Sequence, residues 1–364
     1  MQQSFQWFQK GFYILNPSIA NAQNEIAFVC HFSGRDSAAR PDDLLKTAAG
    51  NLLSNFQSRQ YDPIVCLYKA NNKALTLLDY GWSPTFSPND ARIAYAYQLK
   101  PMQAQDKMYA SSFSGNSIRV FSTITGKSDE VAKPMGDYLL DPFFIDSLNL
   151  LYKTGSEING LFGGGISFSE VNLKTKKINT VRQAAIKYRL FELMGEPYLL
   201  NRQLAYTVYS PSDSGTGMAD EYLHLLLRGK DTLQNFGTRR FSNLNAKFAF
   251  NDKNELLFLD DGHFLAEDTN YLNTYINNKL VQKRPLNFNY TRGYLSPDGK
   301  YIFYITQNLE GFLVNTKNFG QTKLPLPARE FHAVVWSADG RRLALVQDHE
   351  ALAGTDMLSC FTIH

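Results

Sequence analysis

The protein has 364 residues, 44% hydrophobic and 13% aromatic, with 37 basic against 34 acidic side chains and a net charge of +3. So even a balance leaves no footprint for nucleic acid or an anionic membrane surface, and no apolar run reaches the roughly 20 residues that cross a bilayer. The apolar content is ample for a core, and Tyr and Phe suit half-buried strands.

The N-terminal stretch Met1-Gln-Gln-Ser-Phe-Gln-Trp-Phe-Gln9 carries neither the basic nor the apolar region of a secretion signal. It is compatible with a periplasmic or cell-envelope protein whose signal has been removed, and alternatively with a cytoplasmic one. Phe5–Gln9 reads as a lone strand and Pro17–Ala20 as the next. From there a polar turn leads seven times into a strand that opens with Ile or Leu. The openings are Ile26-Ala-Phe28, Ile93-Ala-Tyr95, Leu150-Leu-Tyr152, Leu204-Ala-Tyr206, Leu256-Leu-Phe258, Ile302-Phe-Tyr304 and Leu343-Ala-Leu345, the last without the aromatic. Self-similarity at a long period marks a repeat architecture. A spacing of about 50 residues is that of a four-stranded propeller blade.

Each unit reads as four strands, a to d. In the second, strand a ends near Phe86, b covers 92–98, c 117–123 and d 128–133. The c–d turns are short and rich in Gly, Asn and Lys, as exposed hairpins are; Lys174, Lys176 and Lys177 belong to one of them and read as solvated. The last unit supplies a, b and c (333–336, 343–347 and 358–363) and then ends. Phe5–Gln9 is the natural fourth strand there, since closing a propeller on itself leaves no open edge.

Longer inserts fall between strands b and c, at 33–62, 99–116, 155–164, 211–220, 262–271 and 349–356. In the first, Pro41-Asp-Asp43 followed by Leu44, Leu45, Ala48, Leu52, Leu53 and Phe56 has the spacing of a short helix with an acidic first turn. Strand direction brings all b–c connections to one face. Loops held by a rigid scaffold are where binding concentrates, so that face is the expected working surface.

Three units carry a sharper turn marker: Trp82-Ser-Pro-Thr-Phe-Ser-Pro-Asn-Asp90, Leu295-Ser-Pro-Asp-Gly-Lys300 and Trp336-Ser-Ala-Asp-Gly-Arg341. Pro presets φ, Asp bonds its own backbone, and Gly supplies positive φ. In these residues the chain resembles the TolB-type, WD40-like propeller repeat, in which a Ser-Pro-Asp-Gly turn precedes Ile-Ala-Tyr. The resemblance implies a propeller over nearly the whole chain. TolB itself has six blades and a separate N-terminal α/β domain, which this sequence does not match, so no role in the Tol system is implied.

Catalytic motifs are absent: no nucleophile elbow, phosphate loop, HExxH, paired CxxC or EF-hand loop. Gly163-Gly-Gly165 has no following helix and reads as a hinge. Cys30, Cys66 and Cys360 each fall within a predicted strand; Cys30 and Cys66 sit on adjacent strands, where a bridge fits, but buried free thiols are the expectation. Among the six histidines, His263 (in Asp260-Asp-Gly-His263) and His349 (in Asp348-His-Glu350) have acids beside them. Asp261, His263 and His349 are therefore the residues a metal would use, but Asp-Gly-His at a strand end is ordinary turn chemistry, and no metal site is expected.

The expected fold is all-β: one seven-bladed propeller domain over 1–364, the last blade closed by the N-terminal strand, with six or eight blades as alternatives. The expected function is that of a monomeric, non-catalytic protein- or peptide-binding module without a cofactor. Its ligand contacts are expected from Phe56, Tyr109, Phe113, Phe162, Phe264 and Tyr271 on the b–c face. The alternative is a channel-mouth enzyme or carbohydrate-binding protein, lyase- or hydrolase-like. The two differ in whether acids and imidazoles converge on one point.

Overall fold

The computed structural model describes residues 2–32, 59, 62–101, 116–133, 138–158, 161–183, 247–260, 270–277, 279–288 and 290–363, and the strands of 186–240. Side chains are described outside 32, 138, 140, 155–167 and 181–246. The chain forms two compact units, Met1–Gln183 with Phe331–Ser337 and Arg341–His364, and Ala184–Glu330 with Ala338–Gly340.

In the first unit, β1 (Gln2–Phe8) precedes seven strands that share one sheet in chain order. These are β2 (Phe12–Ile19), β3 (Glu25–Phe32), β4 (Ile64–Lys69), β5 (Ala74–Phe86), β6 (Arg92–Tyr97), β7 (Ser117–Ser122) and β8 (Ser128–Ala132). A four-stranded sheet follows, formed by β9 (Tyr138–Phe144), β10 (Asn149–Ile158), β11 (Leu161–Asn172) and β12 (Ile178–Gln183).

The second unit begins with the ribbon β13 (Ile186–Lys187) and β14 (Leu190–Phe191). A five-stranded sheet combines β15 (Leu193–Met194), β16 (Tyr198–Leu200), β17 (Gln203–Pro211), β18 (Met218–Leu227) and β19 (Lys230–Arg240). Two four-stranded sheets complete it: β20 (Phe248–Phe250), β21 (Leu256–Asp260), β22 (Tyr271–Ile276) and β23 (Lys279–Pro285), then β24 (Arg292–Leu295), β25 (Tyr301–Ile305), β26 (Gly311–Asn315) and β27 (Gln321–Lys323). The chain then returns to the first unit with β28 (Phe331–Trp336), β29 (Arg342–Asp348) and β30 (Asp356–Thr362), and β1 lies antiparallel on β30.

The blade count differs from the sequence-based expectation. Among the described residues there are four four-stranded blades, not seven. The first two expected units merge because β5 does not break: Tyr80 still pairs with Ile64 on β4, and Gly81, the next residue, already pairs with Tyr97 on β6. A further expectation also changes. The insert at 155–164 is largely strand, since β10 and β11 pair as far out as Ile158 and Leu161; at 211–220 both ends are strand, β17 pairing with β18 to Pro211 and Ala219, and 212–217 lie outside the described residues. The expected helix at 41–56 lies outside the described residues. No helix among the described residues is long and apolar enough to cross a membrane.

The marker turns work as self-contained hydrogen-bonded loops. Ser87 Oγ donates to Asn89 and accepts from the Arg92 N–H at 3.0 Å; Ser296 Oγ donates to Asp298 and accepts from the Tyr301 N–H at 2.9 Å; Ser337 Oγ accepts from the Arg342 N–H at 2.9 Å. Gly299 and Gly340 hold φ near +70°, and Asp90 takes the same left-handed place at 56°, a region Asp enters at modest cost. Asp90 also reaches outward, accepting from the N–H groups of Asn21 and Ala22. One short motif thus both turns the chain and ties one repeat to its neighbour.

Strand alternation sends one apolar face of each sheet into a core. In the first unit Trp7, Ile14, Ile26, Phe28, Cys66, Val346 and Leu358 pack together, and Ala94, Ile118, Leu150 and Val171 form a second cluster. In the second unit Leu257, Leu259, Phe288, Tyr304 and Val314 do the same, with the Phe288 and Tyr304 rings stacked at 4.4 Å. The Val, Leu, Ile and Phe side chains among them each contribute roughly 1.5–3 kcal/mol on burial. All three cysteines are buried free thiols.

This burial sets an alkaline limit on stability. It pushes the phenols of Tyr80 and Tyr304 and the thiol of Cys360 up to about 12. The unfolded phenols ionise near 10, so between those values the unfolded chain has released protons that the fold still holds, and stability falls as pH rises. The unfolded thiol ionises nearer 8.5, so urea midpoints should hold steady to about pH 8 and drop progressively toward pH 12. A flat profile across that window would show that these phenols ionise freely in the fold.

Candidate functional site

At the end of the β28–β30 sheet, three polar side chains converge. Asp348 closes β29 and Asp356 opens β30, and the two are direct cross-strand partners. His332 follows the first residue of β28, where an irregularity between Phe331 and Ala333 interrupts the register. Its Nε2 lies 2.8 Å from Asp348 Oδ1 and 3.7 Å from Asp356 Oδ1. One ligand atom from each of the three side chains fits within 4.8 Å of the others.

The two carboxylates have opposite environments. Asp348 is exposed, whereas Asp356 is only 2% exposed. Its Oδ2 accepts the Ile14 N–H from β2 at 2.8 Å, while its buried Oδ1 has no hydrogen-bond partner. Burial pushes the Asp356 carboxyl up to about 6, against the opposing pull of the Ile14 N–H and of His332. The connection behind it is pinned: Thr355 Oγ1 accepts from the Gly11 N–H at 2.9 Å, and the His349 N–H donates to the Thr355 carbonyl at 2.8 Å. Like charges directly opposite on neighbouring strands repel, and among the described residues His332 is the basic side chain that lies against these two acids.

A second polar assembly ties the bases of the first two long connections to the sheet. Arg59 is buried, its guanidinium 4.1 Å from the centre of the Tyr80 ring and 5.7 Å from that of Tyr97. It bonds Asp62 and the Gln98 carbonyl. Arg119 covers Tyr97 at 3.4 Å and pairs with Asp79 at 2.7 Å. Every guanidinium here already has an acidic or aromatic partner, so this ladder supports the fold and leaves no free binding group.

The sequence-derived site residues fare unevenly. Tyr271 is half-buried at the start of β22, with Lys283 Nζ 3.8 Å from its ring centre. Phe162 lies on β11, opposite Glu157. Phe56, Tyr109, Phe113 and Phe264, and the candidate ligands Asp261 and His263, lie outside the described residues. His349 does not join the cluster: its ring packs tilted against Phe8 with centroids 4.3 Å apart, and its Nδ1 accepts the Ala351 N–H. Its neighbour Asp348 contributes instead. His332 and Asp356 had no local signal beyond their places at a strand start and at the end of a b–c connection. Lys174, Lys176 and Lys177 are exposed on the β11–β12 turn, as their composition implied.

No protein-family model matches the chain, and no curated protein matches it in sequence. Solved structures do resemble it. The β-propeller domain of the trilobed protease from Pyrococcus furiosus is 12% identical with a TM-score of 0.59, over 97% of this chain and 94% of that one. An oligogalacturonate lyase in complex with manganese is 12% identical at 0.57, over 100% and 99%. The acylaminoacyl peptidase of Pyrococcus horikoshii is also 12% identical at 0.57, and this chain spans about half of it, 49%. At such identities the likeness defines the fold class alone, and the protein is a β-propeller. The finer TolB-type assignment finds no support from a family match.

Proposed function

We propose that this propeller binds a polar, hydroxyl-bearing ligand of the carbohydrate class at the end of the β28–β30 sheet, with His332, Asp348 and Asp356 as its contacts. The observation that carries this reading is Asp356 Oδ1, a buried acceptor without a hydrogen bond beside an imidazole. Leaving such an acceptor unsatisfied costs about 1–3 kcal/mol, and a ligand hydroxyl would remove that cost. Convergence of an imidazole with two carboxylates also separates a channel-mouth enzyme or sugar-binding site from a plain scaffold. The same pair could serve in proton transfer, since one acid is buried and the other exposed. Enzymes among the structural neighbours fit this as well as a non-catalytic module does.

Protein or peptide binding remains the second reading, favoured by Tyr271, a half-buried aromatic at the strand end that leads out of a long connection. Titration calorimetry with neutral and acidic oligosaccharides and with a peptide library separates the two. The first reading expects saccharide binding that Asp356→Asn weakens about tenfold or more, one charged hydrogen bond being worth roughly 1.5–3 kcal/mol. Peptide binding that is lost in Tyr271→Ala and unchanged in Asp356→Asn would replace it with the second.

A further inference from the structure

We propose that His332, Asp348 and Asp356 form the binding site of one divalent first-row transition cation, Mn²⁺ or Zn²⁺. The inference rests on the same three side chains as the proposed ligand site, and its test is read with the metal alone, so either can fail without the other.

Geometry is the first support. Donor atoms about 2.1 Å from a shared metal lie about 3.0–3.4 Å apart at the angles between octahedral and tetrahedral. The separations of 2.8 Å and 3.7 Å from His332 Nε2 bracket that range, and the whole set lies within 4.8 Å. Closing on a metal needs shifts of about an ångström, shared between His332 and Asp348, whose side chains are 37% and 53% exposed, while the third is fixed by the Ile14 N–H.

Charge is the second support. Two carboxylates stand directly opposite across β29 and β30, one of them buried, with a single imidazole between them. A protonated imidazole would balance one of these charges; a divalent cation balances both and leaves the imidazole neutral, as a ligand must be. The third support is independent of the other two. Asp356 Oδ1 is buried, faces His332 and accepts no hydrogen bond, while Oδ2 holds the backbone. One oxygen orients the carboxylate and the other is left for the metal, the arrangement in which an outer contact positions a ligating group.

The donor set selects the metal. One imidazole nitrogen with two carboxylate oxygens suits Mn²⁺, Fe²⁺ or Zn²⁺, whereas Mg²⁺ and Ca²⁺ prefer oxygen alone. Three protein donors leave positions open for water or a ligand oxygen.

The test uses the whole chain, stripped with a chelator and titrated with Mn²⁺ and with Zn²⁺ by calorimetry, with the Mn²⁺ spectrum followed by electron paramagnetic resonance. One cation per chain is expected, with a rise in the thermal midpoint, and neither effect with Mg²⁺. Asp348→Asn and His332→Gln change exposed groups, and each should weaken binding about tenfold to a hundredfold. Asp356→Asn keeps an oxygen for Ile14 and should do the same. Absence of binding at millimolar metal would overturn the proposal. So would a stoichiometric cation whose affinity is unchanged in Asp348→Asn and His332→Gln, because the metal would then sit elsewhere.

Discussion

Trp7→Ala is expected to lower the unfolding free energy by about 3–5 kcal/mol, the range for deleting a large buried aromatic. Trp7 is 7% exposed on β1, with its ring 4.8 Å from Phe28 and 6.2 Å from Tyr68. It therefore does more than pair strands: it inserts the first strand of the chain into the core built by β2–β4 and β29–β30. Phe8, the next residue, is 47% exposed and rests on His349, so Phe8→Ala should cost within about 0.5 kcal/mol, as surface changes do. Denaturant titration of both variants decides the matter. Equal, small losses would mean that β1 is not seated on this core and that its pairing with β30 is dispensable.

Gly81→Ala carries the other large effect. A Cβ built there would lie 2.2 Å from the carbonyl oxygen of Ala96, 3.1 Å from its carbon and 3.3 Å from Tyr97 Cα. These are backbone atoms of β6, so no rotamer change relieves the clash and the strands must separate. The Gly81 N–H is also committed to the Pro63 carbonyl at 2.9 Å, which holds β5 from its other side. We expect a loss of about 3 kcal/mol or more, at the upper end for overpacking. Gly126 has open space around its Cβ position and a φ of 68°; there Ala costs only the left-handed backbone penalty, about 1–2 kcal/mol. A Gly81→Ala protein as stable as Gly126→Ala would show that β5 and β6 are not so closely joined.

Much of the fold is legible in the sequence because it is local. The Ser-Pro-Asp-Gly turns close through bonds between residues two to five apart, so Ser296, Asp298 and Gly299 announce their own geometry. The apolar triplets alternate as strands that bury one face, and Ile26, Ile93, Leu150, Ile302 and Leu343 are all fully buried. The unmatched strand at one end and the missing strand at the other are likewise visible without coordinates, and β1 does pair with β30.

Sheet continuity and the site needed the tertiary structure. Nothing around Tyr80-Gly-Trp82 states that β5 runs unbroken from one set of partners to the next; that follows from a backbone approach that only a residue without a Cβ permits. The site is a matter of register. A single-residue shift of β29 against β30 would part Asp348 from Asp356 and turn one of them to the other face, and the irregularity at Phe331–Ala333 places His332. Local chemistry pointed to His349, which has acids on either side in sequence, yet its ring is taken up by Phe8. The sequence alone determined which segments turn, which extend and which faces are apolar, because those depend on neighbours along the chain. Which three side chains meet was decided by strand pairing across the sheet, where distance in space is independent of distance in sequence.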